Sequence, residues 1–266
     1  IGYNYIEWEQ KSKNGQTFTS FDPDKFIDQN RLNVNTNRNF YARVGTNYRL
    51  SEKSNLLFNY NTTFANDRGN FEAITFGSEI PDYFNNGTSK TKASNHEISL
   101  QYKTKLDTIG RTLDIIAFTN TFNRNPDTKT NAVENNVSSF NNFKSDFGLL
   151  NYYLKYDFAI PFEKLNLSVN TGGKFNTIKV DNVGSYNLNS ATTDIIDFDY
   201  KETNLAFYAE VRKKIKKLHL TAGLRFENFE VDRVGIVDDV KTNIDFKNNN
   251  LFPNLSAMYE VTDDVN

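Results

Sequence analysis

The 266-residue chain contains no cysteine, one methionine, one tryptophan (Trp8) and five prolines. Without cysteine it forms no disulfide, no thiolate metal site and no Cys nucleophile, whichever compartment it occupies. Long hydrophobic runs are missing too. The longest strongly apolar stretch is Ile115 to Phe118, against roughly 20 residues for a membrane-spanning helix. Neither charge sign dominates: 31 Lys and Arg face 33 Asp and Glu, a net charge of -2, which argues against a nucleic-acid binder built around a basic patch. No Gly-x-Ser-x-Gly, His-Glu-x-x-His or phosphate-loop pattern occurs, so the usual sequence routes to hydrolase or nucleotide chemistry are absent.

What is present is aromatic. The hydrophobic share of 38% falls below the roughly 45–50% of ordinary globular domains, yet 23 Phe and 14 Tyr are too many for a disordered chain. These residues sit in a two-residue period, the signature of a strand with unlike faces. Phe40, Ala42, Val44, Thr46 and Tyr48 alternate with Tyr41, Arg43, Gly45, Asn47 and Arg49. Similar segments run from Leu56 to Phe64, His96 to Tyr102, Leu150 to Phe158, Leu165 to Thr171, Leu205 to Val211, Leu218 to Phe226 and Leu255 to Val261. Ile1 to Trp8 and Leu113 to Phe122 are ambiguous in phase. About ten strands and no helix are expected, with Pro23, Pro81, Pro126 and Pro161 between strands and Pro253 at the start of one.

The links alternate. Short ones fall near Leu50–Ser54, Leu106–Arg111, Pro161–Lys164 and Lys213–Lys217; long polar ones span about Gln10–Thr36, Asp67–Thr91, Asn125–Lys144, Lys179–Asp199 and Asp232–Asn249. This unit recurs roughly every 50–55 residues, a repeat of architecture without a repeat of identity, and places the long loops at one end. Strands of about 12 residues, tilted near 40°, span about 30 Å, more than the roughly 25 Å apolar band of a membrane barrel. Tyr48, Tyr102, Tyr156, Phe158 and Tyr259 are expected to form a girdle near the short turns. The fold class is therefore all-β: an antiparallel, up-and-down transmembrane β-barrel. A bare edge cannot face lipid, and with the abrupt ends at Ile1 and Asn266 the expectation is a barrel portion of something larger.

Three segments of the closing half carry a family resemblance: Leu205-Ala206-Phe207-Tyr208-Ala209-Glu210, Thr221-Ala222-Gly223-Leu224-Arg225-Phe226-Glu227 and Leu251-Phe252-Pro253-Asn254-Leu255. In this order and spacing they resemble TonB-dependent receptor-like outer-membrane β-barrels of the Bacteroidota type, most closely over Tyr200 to Asn266. The resemblance implies a barrel of about 22 strands, of which residues 1–266 form a portion, in the outer membrane of a Gram-negative bacterium. It further implies a plug domain, a TonB system, TonB-coupled uptake of a scarce small solute, and possible pairing with a surface lipoprotein. No cofactor and no enzymatic activity are expected. The rivals are a structural or adhesive barrel without transport, and a barrel enzyme.

The candidate lumen-facing residues, for contact with a plug or a passing solute, are Arg43, Lys103, Lys174, Arg225 and Glu227. His96 and His219 are expected on opposite faces, too separated to share a site. The acidic groups Asp22/Asp24/Asp28, Asp194/Asp197/Asp199 and Asp238/Asp239 lack the glycine and glutamate of a calcium loop and read as solvated acid. Lys213, Lys214, Lys216 and Lys217 form the one dense basic run, at a short turn.

Overall fold

The computed structural model describes residues 1–19, 25–78, 82–189, 191–237 and 240–261. Ten strands follow one another: β1 (Gly2–Phe18), β2 (Lys25–Arg49), β3 (Ser54–Gly77), β4 (Tyr83–Lys105), β5 (Thr112–Glu134), β6 (Val137–Phe162), β7 (Leu167–Leu188), β8 (Ala191–Ile215), β9 (Leu218–Val237) and β10 (Val240–Tyr259). Each pairs antiparallel with its sequence neighbours in a single sheet of order β1 to β10. Among the described residues β10 does not pair with β1, so both are edges.

The strands are longer than alternation indicates, at 17 to 26 residues. The segments expected as long loops are mostly the upper halves of hairpins, still in ladder. Asn125–Lys144, for example, holds the end of β5, a turn at Asn135 and Asn136, and the start of β6. Both turn residues have positive φ, 49° and 63°, a conformation asparagine tolerates and a two-residue hairpin needs. Pro126 lies inside β5 rather than between strands. Its missing N–H has a visible effect: the β5–β6 register runs to Arg124↔Phe147 and resumes at Asp127↔Lys144. Pro161 is at the end of β6, and Pro253 is inside β10, an edge strand, where the lost donor costs least. Leu165 belongs to a short 3-10 turn (Glu163–Leu165), so β7 begins at Leu167. Pro23 and Pro81 lie outside the described residues.

Among the described residues no second sheet covers the oily rows. Buried apolar residues are Ala73, Ala132 and Ala206, while Val44, Leu154, Leu224 and Leu255 are more than half exposed. A contiguous apolar surface of this extent requires a nonpolar surrounding. Register then reveals a tilt. The row through Tyr48 passes Leu56, Tyr102, Ile115, Tyr156, Gly173, Phe207 and Phe226 and reaches Leu251. Tyr48 ends the oily stretch of β2 at the short-turn side; Leu251 begins the oily stretch of β10 at the far side, with Tyr259 eight residues further down. From β2 to β10 is eight strand steps, so the apolar band shifts one residue per strand. At about 3.3 Å along and 4.8 Å across, that is a tilt of about 35°, as in membrane barrels. Tyr156, expected in the girdle, consequently lies mid-band, with Phe158, Ile160 and Phe162 below it on the same face.

This tilt is testable with two residues of one row. Tyr156→Arg, mid-band, is expected to destabilise the protein by about 2–4 kcal/mol and Tyr48→Arg, at the band edge, by about 0–1 kcal/mol. Denaturant unfolding from lipid vesicles measures both; equal costs would contradict the tilt.

Candidate functional site

The face opposite the oily rows is polar, and register sets its charges against one another. Lys103, Asp114, Asp157, Gly172, Tyr208 and Arg225 are successive members of one row across β4 to β9. The next row contains Gln101, Ile116, Lys155, Lys174, Ala206 and Glu227. Asp114 accepts both bonds of the Gln101 amide at 2.8 and 3.0 Å and lies 3.4 Å from Lys103 Nζ. Asp157 is 2.7 Å from Lys155 Nζ and accepts the Tyr208 hydroxyl at 2.6 Å. Glu210 meets Arg212 at 2.7 Å, and Glu227 meets Arg225 at 2.6 Å.

Tyr208 reaches Asp157 across an intervening strand because Gly172 stands between them. A Cβ there would come within 2.5 Å of the Tyr208 ring and of the Tyr156 carbonyl oxygen. Lys174 lies 5.2 Å from the Tyr153 ring, which stacks on Phe118 at 5.1 Å. That settles the ambiguous segment: Ile115 and Ala117 continue the oily face, while Ile116 and Phe118 belong to the polar one.

Further up, the aromatics change sides. Phe122 and Phe147 (6.0 Å), Phe198 and Tyr200 (6.4 Å), and Phe229 and Phe246 (6.2 Å) all stand on the polar face, with Arg233 over Phe198 at 5.1 Å. The other face there carries Arg38, Arg68, Lys90, Asp146, Lys179, Asp199, Asp232 and Lys247. On β5, β6, β8, β9 and β10 the oily face thus lies outside below and inside above, as if the outer medium changed from lipid to water, whereas β2 and β3 carry Leu32, Val34 and Ile74 on the outer face higher up.

Residues 104–266, more than half of the chain, match the outer membrane protein beta-barrel family. The chain belongs to that family. This barrel protein is located in the outer membrane of a Gram-negative bacterium, with lipid against its oily face. Its fold is similar to that of the unliganded ferric citrate transporter FecA (12% identity, 98% of this chain and 42% of that one, TM-score 0.49). It is also similar to the ferric yersiniabactin uptake receptor FyuA from Yersinia pestis (10%, 97% and 45%, TM-score 0.45) and the outer membrane protease OmpT from Escherichia coli (8%, 97% and 96%, TM-score 0.31). The chain spans less than half the length of the two receptors. None of these TM-scores reaches 0.5, and membership rests on the family match. No curated protein matches the chain.

Of the five candidates in this barrel protein, register places all on the polar face. Lys103, Lys174, Arg225 and Glu227 fall in the two rows described above; Arg43, opposite Asn61, sits apart from them. Their row neighbours Asp114, Asp157, Tyr208 and Gln101 escape a reading by residue type, because neutralisation across strands depends on register. The Gly172-Gly173 doublet inside a strand was the available signal. His96 is on the oily face, satisfied by Tyr60 Oη at 3.0 Å and Thr62 Oγ1 at 2.9 Å. His219, on the polar face beside the short turn, lies 2.6 Å from Glu260. Within the basic run, Lys213 donates to the Leu165 carbonyl and Lys214 lies 3.2 Å from Glu260. Asp22, Asp24, Asp238 and Asp239 lie outside the described residues; among the described residues no three His, Asp or Glu converge as metal ligands.

Gly172→Val is expected to cost about 1–3 kcal/mol, and Tyr208→Phe about 1 kcal/mol by loss of one hydrogen bond, both read from vesicle unfolding midpoints. At Glu260, just past β10, the bonds from His219 and Lys214 hold the carboxyl below the ordinary carboxylate value. A lowered value means the contribution is intact above the ordinary value and lost as pH falls through the lowered one. Protection of the Glu260 amide, bonded to the Lys217 carbonyl at 2.9 Å, is therefore expected to fall in that window, and Glu260→Gln to abolish the dependence.

Proposed function

We propose that this chain is the barrel portion, residues 1–266, of a TonB-dependent receptor of the Bacteroidota type, taking up a scarce small solute without covalent chemistry. The observation that carries this is the polar wall. Its acids at Asp114, Asp157, Glu210 and Glu227 each hold a cation or amide partner, leaving a hydrated, charge-balanced surface rather than a nucleophile with its base. Such a wall suits reversible contact with a plug or a passing solute.

The two sheet edges support the same reading. Lipid satisfies no backbone group, so β1 and β10 need partner strands, which a barrel of about 22 strands supplies. Lys103, Lys174, Arg225 and Glu227 then pack against a plug that the TonB system displaces, while Arg43, for which the described residues provide no ion pair, is open to solute. The aromatics on the upper polar face would receive the solute before it meets the plug.

The test is uptake of labelled small solutes by cells with and without the gene, with and without a protonophore. The expected outcome is uptake of at least one solute that requires both the gene and the energised inner membrane. Unchanged uptake together with lost surface attachment would establish the adhesive alternative instead.

A further inference from the structure

The oily face of the barrel gives way to a collar of charge, and that collar is uneven. On the arc formed by β5 to β10 cations and acids are interspersed: Lys144 lies 4.0 Å from Asp127, Lys247 pairs with Glu230, and Lys201, opposite Lys179 on one side, stands opposite Asp232 on the other. On β2, β3 and β4 the pattern differs. Arg38, Asn66 and Lys92 form one row, and Thr36, Arg68 and Lys90 the next, so two adjoining rows hold four cations and no acid. Arg68 and Lys90 are directly opposite each other. Like charges so placed are destabilising.

Among the described residues no acid lies between them. All four side chains are exposed, and none forms an ion pair; Arg38 rests over the Tyr5 ring at 5.5 Å. Acids stand at both ends of the second row, Glu7 on β1 and Asp127 on β5, each shared with another group. Glu7 accepts the Tyr5 hydroxyl at 2.7 Å, and Asp127, opposite Lys90, lies beside Lys144.

Height decides what could bridge the four. The last apolar side chains below them are Phe40, Phe64 and Ile98, so the cations begin two to six residues higher, about 5–15 Å along a tilted strand. The headgroup layer occupies that depth, and Arg and Lys stems extend along apolar surface to bring their heads to it. The extended hairpins rise from this same end, which makes it the external side. The leaflet there presents phosphorylated glycolipid.

We propose that Arg38, Arg68, Lys90 and Lys92 form a binding site for the phosphate groups of an outer-leaflet glycolipid, seated against the oily rows of β2 to β4. Phosphate oxygens placed between Arg68 and Lys90 convert their repulsion into charge-assisted bonds, two of them from the planar Arg fork. The acyl chains lie on Val44, Phe64, Ile98 and Leu100. The site depends on the outer-membrane location and on register, and stands whether or not the protein transports.

The experiment uses purified full-length protein in neutral detergent, with bisphosphorylated lipid A, the dephosphorylated lipid and inorganic phosphate as probes. Each cation near an anionic group is worth about fivefold in affinity. Arg68→Gln with Lys90→Gln is therefore expected to weaken binding of the bisphosphorylated lipid roughly 25-fold. Removing the phosphates from the lipid is expected to weaken wild-type binding at least as much, and Arg68→Lys to weaken it less than Arg68→Gln, since the charge stays and the fork is lost. Removing equal charge from the acid-paired arc, Lys201→Gln with Lys247→Gln, is expected to change nothing. Should the double variant not fold, Lys90→Gln and Lys92→Gln singly give about fivefold each. Unchanged binding in the variants, equal binding of dephosphorylated lipid, or an equal loss in the control pair would overturn the proposal. So would displacement of the lipid by inorganic phosphate at matching concentration, which would mark a free-phosphate site.

Discussion

The backbone ladder is the constraint on which the rest depends. A strand crossing hydrocarbon has no water to bond its N–H and C=O groups, so every one must find a neighbouring strand. Strands β2 to β9 satisfy this on both sides by pairing only with their sequence neighbours, β1 and β10 on one side each, and the pairing continues far beyond the lipid, through hairpins whose strands reach 26 residues. With the ladder continuous, each side chain is assigned to lipid or interior by parity alone, and one unit of slip would exchange the two. At Pro126 a gap is confined to the β5–β6 side and the strand recovers its register within two residues, and between Tyr186 and Asn187 the β7–β8 register shifts by one.

Within that frame, packing is done by filling gaps between strands rather than by a central core. Gly172 opens a space that Tyr208 occupies to reach Asp157; on the opposite face Gly173 lies under the rings of Tyr156 and Phe207. Consecutive glycines thus interlock three strands from both sides. The polar wall and the oily rows are coupled there, since a Cβ at either position would press on rings that hold the neighbouring strands.

Much of this was legible from composition and period. Ten strands, the antiparallel up-and-down order and the assignment of Val44, Leu154 or Leu224 to one face follow from alternation, because lipid on one side and water on the other act residue by residue. The upper halves were not legible. Phe143 and Phe147 are one residue out of phase with Leu150 to Phe162, and Phe229 and Val231 with Leu218 to Phe226. Read locally, such a slip looks like the end of a strand. In the structure the strand is unbroken, and what reverses is the solvent on its outer face. The candidates Lys103, Lys174, Arg225 and Glu227 were visible as charges on a polar face, but Asp114, Asp157 and Tyr208 gained meaning only from their row neighbours.

The amino-acid sequence by itself determined the kind of surface each strand presents, since two-residue periodicity is a local property that needs no partner. Tertiary structure alone decided the register, and with it the one-residue shift per strand, the cross-strand neutralisation of the interior wall and the clustering of four cations in the collar. The reason is physical: parity is encoded within a strand, whereas height relative to the next strand comes from hydrogen bonds made between segments that can be 50 residues apart.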